Sequence, residues 1–83
     1  MNLDELTFAN RQLADLLKSG VPLEGSLHQL CSTMSRGALR GEFEALERDL
    51  TQGTPLEKAL DNRKLPELYV KMIKVGIQSN NLP

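Results

Sequence analysis

Apolar residues recur every three or four positions along almost the whole chain, and glycine and proline punctuate the intervals between runs. Leu6, Ala9, Leu13, Leu16 and Leu17 form one stripe, with Asn10, Arg11, Asp15 and Lys18 largely off it. This is the period that puts apolar side chains on one face of an α-helix, and it predicts a helix from about Asp4 to Ser19. Gly20 supplies the stop, because glycine enters the left-handed conformation without a Cβ penalty. The next helix is expected to start near Pro22, where a missing N–H costs nothing, with its stripe on Leu23, Leu27, Leu30, Cys31 and Met34.

Ser35-Arg36-Gly37 reads as a turn, followed by Leu39, Phe43, Leu46 and Leu50 at +4, +3, +4. Arg40 with Glu44, and Glu44 with Arg48, stand four apart on the polar face, pairs worth roughly 0.2–0.5 kcal/mol each. Gly53 ends this helix, and Pro55 opens a short one holding Leu56, Ala59 and Leu60, which Asp61-Asn62-Arg63-Lys64 breaks. A last helix begins at about Pro66, with its stripe on Leu65, Leu68, Tyr69, Met72, Ile73 and Gly76 and with Val70 and Val75 facing outward. Residues 77–83 read as a polar turn and tail. No segment alternates with period two. The expectation is an all-α fold of four long helices and one short helix, in a single domain over residues 1–83.

One motif occurs twice. "GVPLEGSL" spans Gly20 to Leu27 and "GTPLEKAL" spans Gly53 to Leu60. In each, glycine closes one helix and proline opens the next. The glutamate sits in the first turn, where the helix dipole favours a negative charge by about 0.3–1 kcal/mol. The two leucines, four apart, point inward. Gly20, Pro22, Leu23, Leu27, Gly53, Pro55, Leu56 and Leu60 therefore read as two structural corners.

Ten basic and eleven acidic residues leave a net charge of −1. Such a balance creates no global field for nucleic acid or anionic lipid. At 83 residues the chain buries roughly 60–65% of its unfolded surface. The one cysteine, Cys31, has no internal disulfide partner, which favours a reducing compartment. No apolar run approaches the ~20 residues of a membrane span, and "MNLDELTFAN" has neither the basic nor the apolar region of a signal peptide.

The candidate chemistry is sparse. His28 and Cys31 stand three apart on the second helix and could form a dyad, although a buried structural cysteine beside a partly exposed histidine fits the stripe better. No phosphate-loop, dinucleotide, zinc-protease or calcium-loop spacing is present, so no catalytic residue, cofactor or metal ligand is expected. Glu42, Glu44, Glu47 and Asp49 read as a solvated face. Arg63, Lys64, Lys71 and Lys74 form a basic cluster around the last corner. With Val70 and Val75 they are the candidate contact for a protein partner.

Taken together, "RQLADLLKSGVPLEGSL", "LTQGTPLEKAL" and "LPELYVKMIKVGIQSNNL" resemble the F-family domain of bacterial type II secretion systems, also found in the inner-membrane platform protein of type IV pilus assembly. The resemblance covers nearly the whole chain. Its landmarks are Arg11-Gln12-Leu13, the two corners, and Met72, Ile73 and Gly76. Two features depart from the family pattern. Ile77 stands where a glutamate is usual and Asn80 where a second glycine is usual, while Ser79 and Leu82 remain. The chain also stops at Pro83, where the family continues into a further helix and a membrane span.

The resemblance implies a small antiparallel helical bundle on the cytoplasmic face of the inner membrane. It implies a non-enzymatic scaffold that contacts the assembly ATPase and neighbouring platform subunits, in a full-length protein anchored in the membrane. Without the last helix the bundle is expected to leave an apolar groove and to self-associate as a two-fold homodimer. The alternative is a helix-turn-helix DNA-binding domain in "RQLADLLKSGVPLEGSLHQL". Against it, the would-be recognition helix from Pro22 to Thr33 contains no Lys or Arg and carries Glu24 at its front.

Overall fold

The computed structural model describes residues 3–78. Among these are five α-helices: α1 (Leu3–Lys18), α2 (Leu23–Thr33), α3 (Ala38–Thr51), α4 (Leu56–Asp61) and α5 (Glu67–Gln78). The described residues contain no strand. The all-α fold is as the apolar period predicts. Residues 77 and 78 continue α5 where a turn was expected from 77, and residues 79–83, including Ser79, Asn80 and Leu82, lie outside the described residues.

The two corners are built from the same backbone bonds. At the end of α1, Gly20 has φ +91. Its N–H donates to the Leu17 carbonyl at 3.0 Å, and the Val21 N–H reaches back to Leu16 at 3.2 Å. At the end of α3, Gly53 has φ +94. Its N–H donates to Leu50 at 3.0 Å, and Thr54 reaches back to Asp49 at 2.9 Å. Both are the paired closing bonds of a Schellman motif, which satisfy the last helical carbonyls and require a left-handed residue.

The prolines sit one step earlier than the sequence suggests. Pro22 (φ −57, ψ 155) and Pro55 (φ −57, ψ 141) occupy the N-cap rather than the first helical position. Their extended ψ keeps them outside the helix, while their carbonyls accept its first bonds, from Ser26 at 2.8 Å and Ala59 at 2.9 Å. Pro66 opens α5 in the same way, accepting from Val70 at 3.0 Å.

These turns fold the helices around one core. Leu13 from α1, Leu27 and Leu30 from α2, Leu39, Phe43 and Leu46 from α3, Leu60 from α4 and Ile73 from α5 are almost wholly shielded from solvent. Burying one such side chain stabilises by about 1.5–3 kcal/mol. Leu27 and Leu60, the closing leucines of the two motifs, lie fully inside, and Leu23 and Leu56 pack half-buried against the core. The result measures 27 × 24 × 23 Å.

Consecutive helices pack on one another, α1 on α2, α2 on α3, α3 on α4 and α4 on α5. Polar ties reinforce this order. Thr33 donates to Gln12 at 3.3 Å between α2 and α1, and His28 meets Glu47 at 3.1 Å between α2 and α3. The Tyr69 hydroxyl donates to Asn10 at 3.3 Å, bringing α5 back to α1.

The phase of α5 differs from the expected one. Val70 is buried, at 9% exposure, and Leu68 lies outside at 72%. α5 carries apolar residues over most of its circumference, so the period alone left its inward face open by one position to either side. Packing settled it on Leu65, Tyr69, Val70, Ile73 and Gly76, with Met72 half-buried.

Candidate functional site

The residues proposed for chemistry are separated by their environments. Cys31 is buried at 4% exposure, and burial, with the negative charges of Glu44 and Glu47 adding and Arg40 opposing, pushes its thiol up to about 11. A thiol so placed stays protonated and does not act as a nucleophile at neutral pH. His28 lies on the outer side of α2 and spends its Nδ1 contact on Glu47 of α3. The structure therefore gives the buried-cysteine reading, with His28 as a surface tie. No group of three or more His, Cys, Asp or Glu able to hold a metal ion occurs among the described residues.

The acidic run on α3 is less solvated than its sequence suggests. Three of its four members are half-buried and reach to neighbours. Glu42 accepts the backbone N–H of Lys64 at 2.8 Å. Glu47 holds His28, and Asp49 holds Arg63 at 3.6 Å. Glu44, exposed, pairs with Arg40 at 3.5 Å as its i,i+4 spacing predicts. The run thus ties α3 to α2 and to the segment between α4 and α5.

The basic cluster divides in the same way. The Arg63 side chain is 18% exposed and lies against Asp49. Its Nε is buried with no hydrogen-bond partner. Lys74, 25% exposed, bridges Asp61 at 2.7 Å and Glu57 at 3.9 Å, pinning α4 to α5. Both cations serve the interior architecture. Lys71 is open, 70% exposed with Glu67 at 3.6 Å, and Lys64 is exposed.

Beside Lys71 runs an apolar surface to which Leu68, expected inward, belongs. Leu68 (72% exposed), half-buried Met72 and Val75 (66% exposed) stand at i, i+4 and i+7. That spacing makes one continuous apolar edge along α5. Val75 was expected outward and is; Val70 was expected outward and belongs to the core. The available signal was the count of apolar residues on α5 and just before it, seven from Leu65 to Val75, more than one buried face uses.

Tyr69 lies in the core, as its place on the apolar stripe predicts, with its hydroxyl on Asn10. It is 6% exposed, and burial raises its pKa above the ordinary phenol value.

A glycine corner closed by the same backbone bonds joins α1 to α2 and α3 to α4, and makes the framework of the described residues. Comparison with known families agrees with that framework. Residues 9–83 match the family described as type II secretion system (T2SS), protein F. The chain belongs to this family. It is 29% identical over 80 residues to the type IV pilus assembly protein TapC of Aeromonas hydrophila, covering 94% of this chain and 19% of that protein. It is 30% identical over 80 residues to the type II secretion system protein F of Vibrio cholerae serotype O1, covering 94% of this chain and 20% of that protein. The chain therefore spans about a fifth of the length of these F-family relatives.

F-family membership leaves the DNA-binding alternative without support. The helix it would use, α2, buries Ser26, Leu27, Leu30 and Cys31 between its neighbours and carries no Lys or Arg. No described helix of this F-family chain is long and apolar enough to cross a membrane.

Proposed function

We propose that this chain is a non-catalytic scaffold domain of the inner-membrane platform of a bacterial type II secretion or type IV pilus assembly system. In this reading it stands on the cytoplasmic face, in a protein anchored in the membrane, and contacts the assembly ATPase and other platform subunits. The observation that carries it is the family match over residues 9–83. The placement of its ionisable groups supports it: the half-buried ones are spent on ties between helices.

The contact surface in this proposal is the outer edge of α5, formed by Leu68, Lys71, Met72 and Val75 with Lys64 at its side. Arg63 and Lys74, committed to Asp49 and Asp61, position it from behind. Its first occupant is a second copy of this chain. An i, i+4, i+7 edge is self-complementary when two copies lie antiparallel about a two-fold axis. Only two strongly exposed apolar side chains contribute on each side, which supports a weak dimer.

Two measurements test the proposal. Deleting residues 9–83 from the gene abolishes secretion or piliation in the parent cell; normal secretion and piliation without them would overturn the scaffold role. Sedimentation of the 83-residue chain shows concentration-dependent association at micromolar concentration and above, which Leu68→Ser with Val75→Ser removes. A monomer at every concentration would overturn the homodimer and leave the scaffold role to the first experiment.

A further inference from the structure

The two corners are parts of a longer correspondence. Leu39, Leu46 and Leu50 precede Gly53 at the same intervals at which Leu6, Leu13 and Leu17 precede Gly20. The register runs without a gap from Leu6 to Leu27 and from Leu39 to Leu60. It is kept in three dimensions. Leu6, Leu13, Leu39 and Leu46 are buried, and Leu17 and Leu50 pack half-buried against the core. Ser26 and Ala59, at one equivalent position beyond the corner, are both wholly shielded. Amphipathicity alone does not demand this, because a helix leaves several spacings open for its apolar residues. α1 and α3 use the same one, and each enters its corner on the same backbone bonds.

The polar ties between helices follow the same plan. His28 stands eight positions after Gly20 and meets Glu47 of α3 at 3.1 Å. Asp61 stands eight positions after Gly53 and takes Lys74 of α5 at 2.7 Å. The place is the same and the chemistry is exchanged: base to acid in the first, acid to base in the second. α5 is therefore held to α4 as α3 is held to α2. The chain at the end of each second helix also returns to its own first helix. Thr33 donates to Gln12 of α1, and the Lys64 N–H donates to Glu42 of α3. The two differ at this exit. Phe8 has Gly41 as its counterpart. The first exit leaves a notch of about 150 Å³ bordered by Phe8 and Met34, and the second is drawn onto α3 by the Lys64 bond.

We infer that this fold is one helix–corner–helix unit present twice, as α1–α2 and α3–α4, and that the position eight after each corner glycine couples the unit to the helix that follows. Equivalent positions then have equivalent surroundings. Ser26 Oγ donates to the Val21 carbonyl at 3.2 Å, and Thr54 holds that place in the second unit. A hydroxyl put at position 59 therefore finds an acceptor waiting, although nothing polar stands there now. The coupling pair needs opposite partners and not a particular order of them, so its sign is reversible in the first unit as the second already shows.

The test is thermal melting of the 83-residue chain and its variants, followed by circular dichroism. Exchanging the two octets (Val21→Thr, Gly25→Lys and Ser26→Ala together with Thr54→Val, Lys58→Gly and Ala59→Ser) is expected to keep the helix content and a single cooperative transition. Ala59→Ser alone is expected to lower Tm by less than about 4 °C, whereas a wholly buried hydroxyl without an acceptor costs at least that. His28→Asp sets two acids side by side and is expected to lower Tm by about 1–4 °C, the scale of an exposed charge contact. Adding Glu47→Lys to His28→Asp is expected to restore it. Loss of folding in the exchanged chain, a fall of about 4 °C or more in Ala59→Ser, or a double variant that melts no higher than His28→Asp would overturn the inference.

Discussion

The phenol of Tyr69 donates to Asn10 Oδ1 at 3.3 Å, across 59 positions of sequence, and joins the last helix to the first. The aromatic ring is buried, so the hydroxyl needs a partner where water is scarce. Tyr69→Phe removes the bond and leaves the ring's packing intact. The expected loss is about 0.5–1.5 kcal/mol in urea denaturation. A larger loss would mean that the ring's packing also shifts when the hydroxyl is removed.

Alkaline pH is expected to loosen the fold from the same place. The folded pKa of Tyr69 is raised by burial above 10.0. Its neutral form is the one that the fold favours, so its stabilisation is complete below the unfolded value and is lost as pH rises beyond it. Cys31 adds to this, with its loss falling between its ordinary 9.0 and its folded value of about 11. Thermal melting from neutral pH upward should show stability falling above pH 9.0, with a shallower fall in Tyr69→Phe. Thiol labelling of Cys31 at mildly alkaline pH should be slow in the native chain and fast in denaturant. Rapid native labelling would contradict the burial.

The corner glycines are expected to behave alike. Gly20→Ala and Gly53→Ala each put a Cβ on a left-handed residue, at φ +91 and +94. No neighbouring atom lies within 4 Å of either added carbon, so the cost is backbone strain alone. About 1–2 kcal/mol each is expected in denaturant melts. Asn at either position should lose less than Ala, since Asn tolerates this conformation.

Arg63 and Asp49 separate two kinds of electrostatic loss. Asp49→Ala strands a largely covered guanidinium whose Nε already lacks a partner. Arg63→Met keeps the stem and removes the charge. Asp49→Ala should be the more destabilising of the two, because an unpaired covered charge costs more than a replaced one. Equal losses in thermal melts would show that solvent screens the site.

The inner and outer sides of α5 can be told apart by one substitution each. Val70→Ser removes one buried methyl and puts a hydroxyl in place of the other, and is expected to cost about 1–3 kcal/mol. Leu68→Ser, at a position 72% exposed, should leave the melting of the monomer within about 0.5 kcal/mol.

The legibility of this protein divides by the range of the interactions. The helices and corners could be read because each depends on residues within one or two turns. Gly20 and Gly53 are glycines because their own bonds to Leu17 and Leu50 need a left-handed backbone. The prolines were misplaced by one position, since a proline's fixed φ suits the N-cap and the first turn equally. The basic cluster was legible as composition but not as a surface, because Arg63 and Lys74 turn to partners 14 and 13 positions away.

From its own order of residues this chain determined five helical segments, two equivalent glycine–proline corners and a family resemblance that the match over residues 9–83 bears out. Those features rest on backbone conformation and on hydrogen bonds between near neighbours, which a linear string records. Only the tertiary structure decided that Val70 faces inward and Leu68 outward, that the acidic run of α3 grips its neighbours, and that Phe8 and Met34 border one notch. A helix with apolar residues on most of its sides has several faces it could bury. The choice belongs to whatever packs against it, and that is set by contacts between residues far apart in sequence.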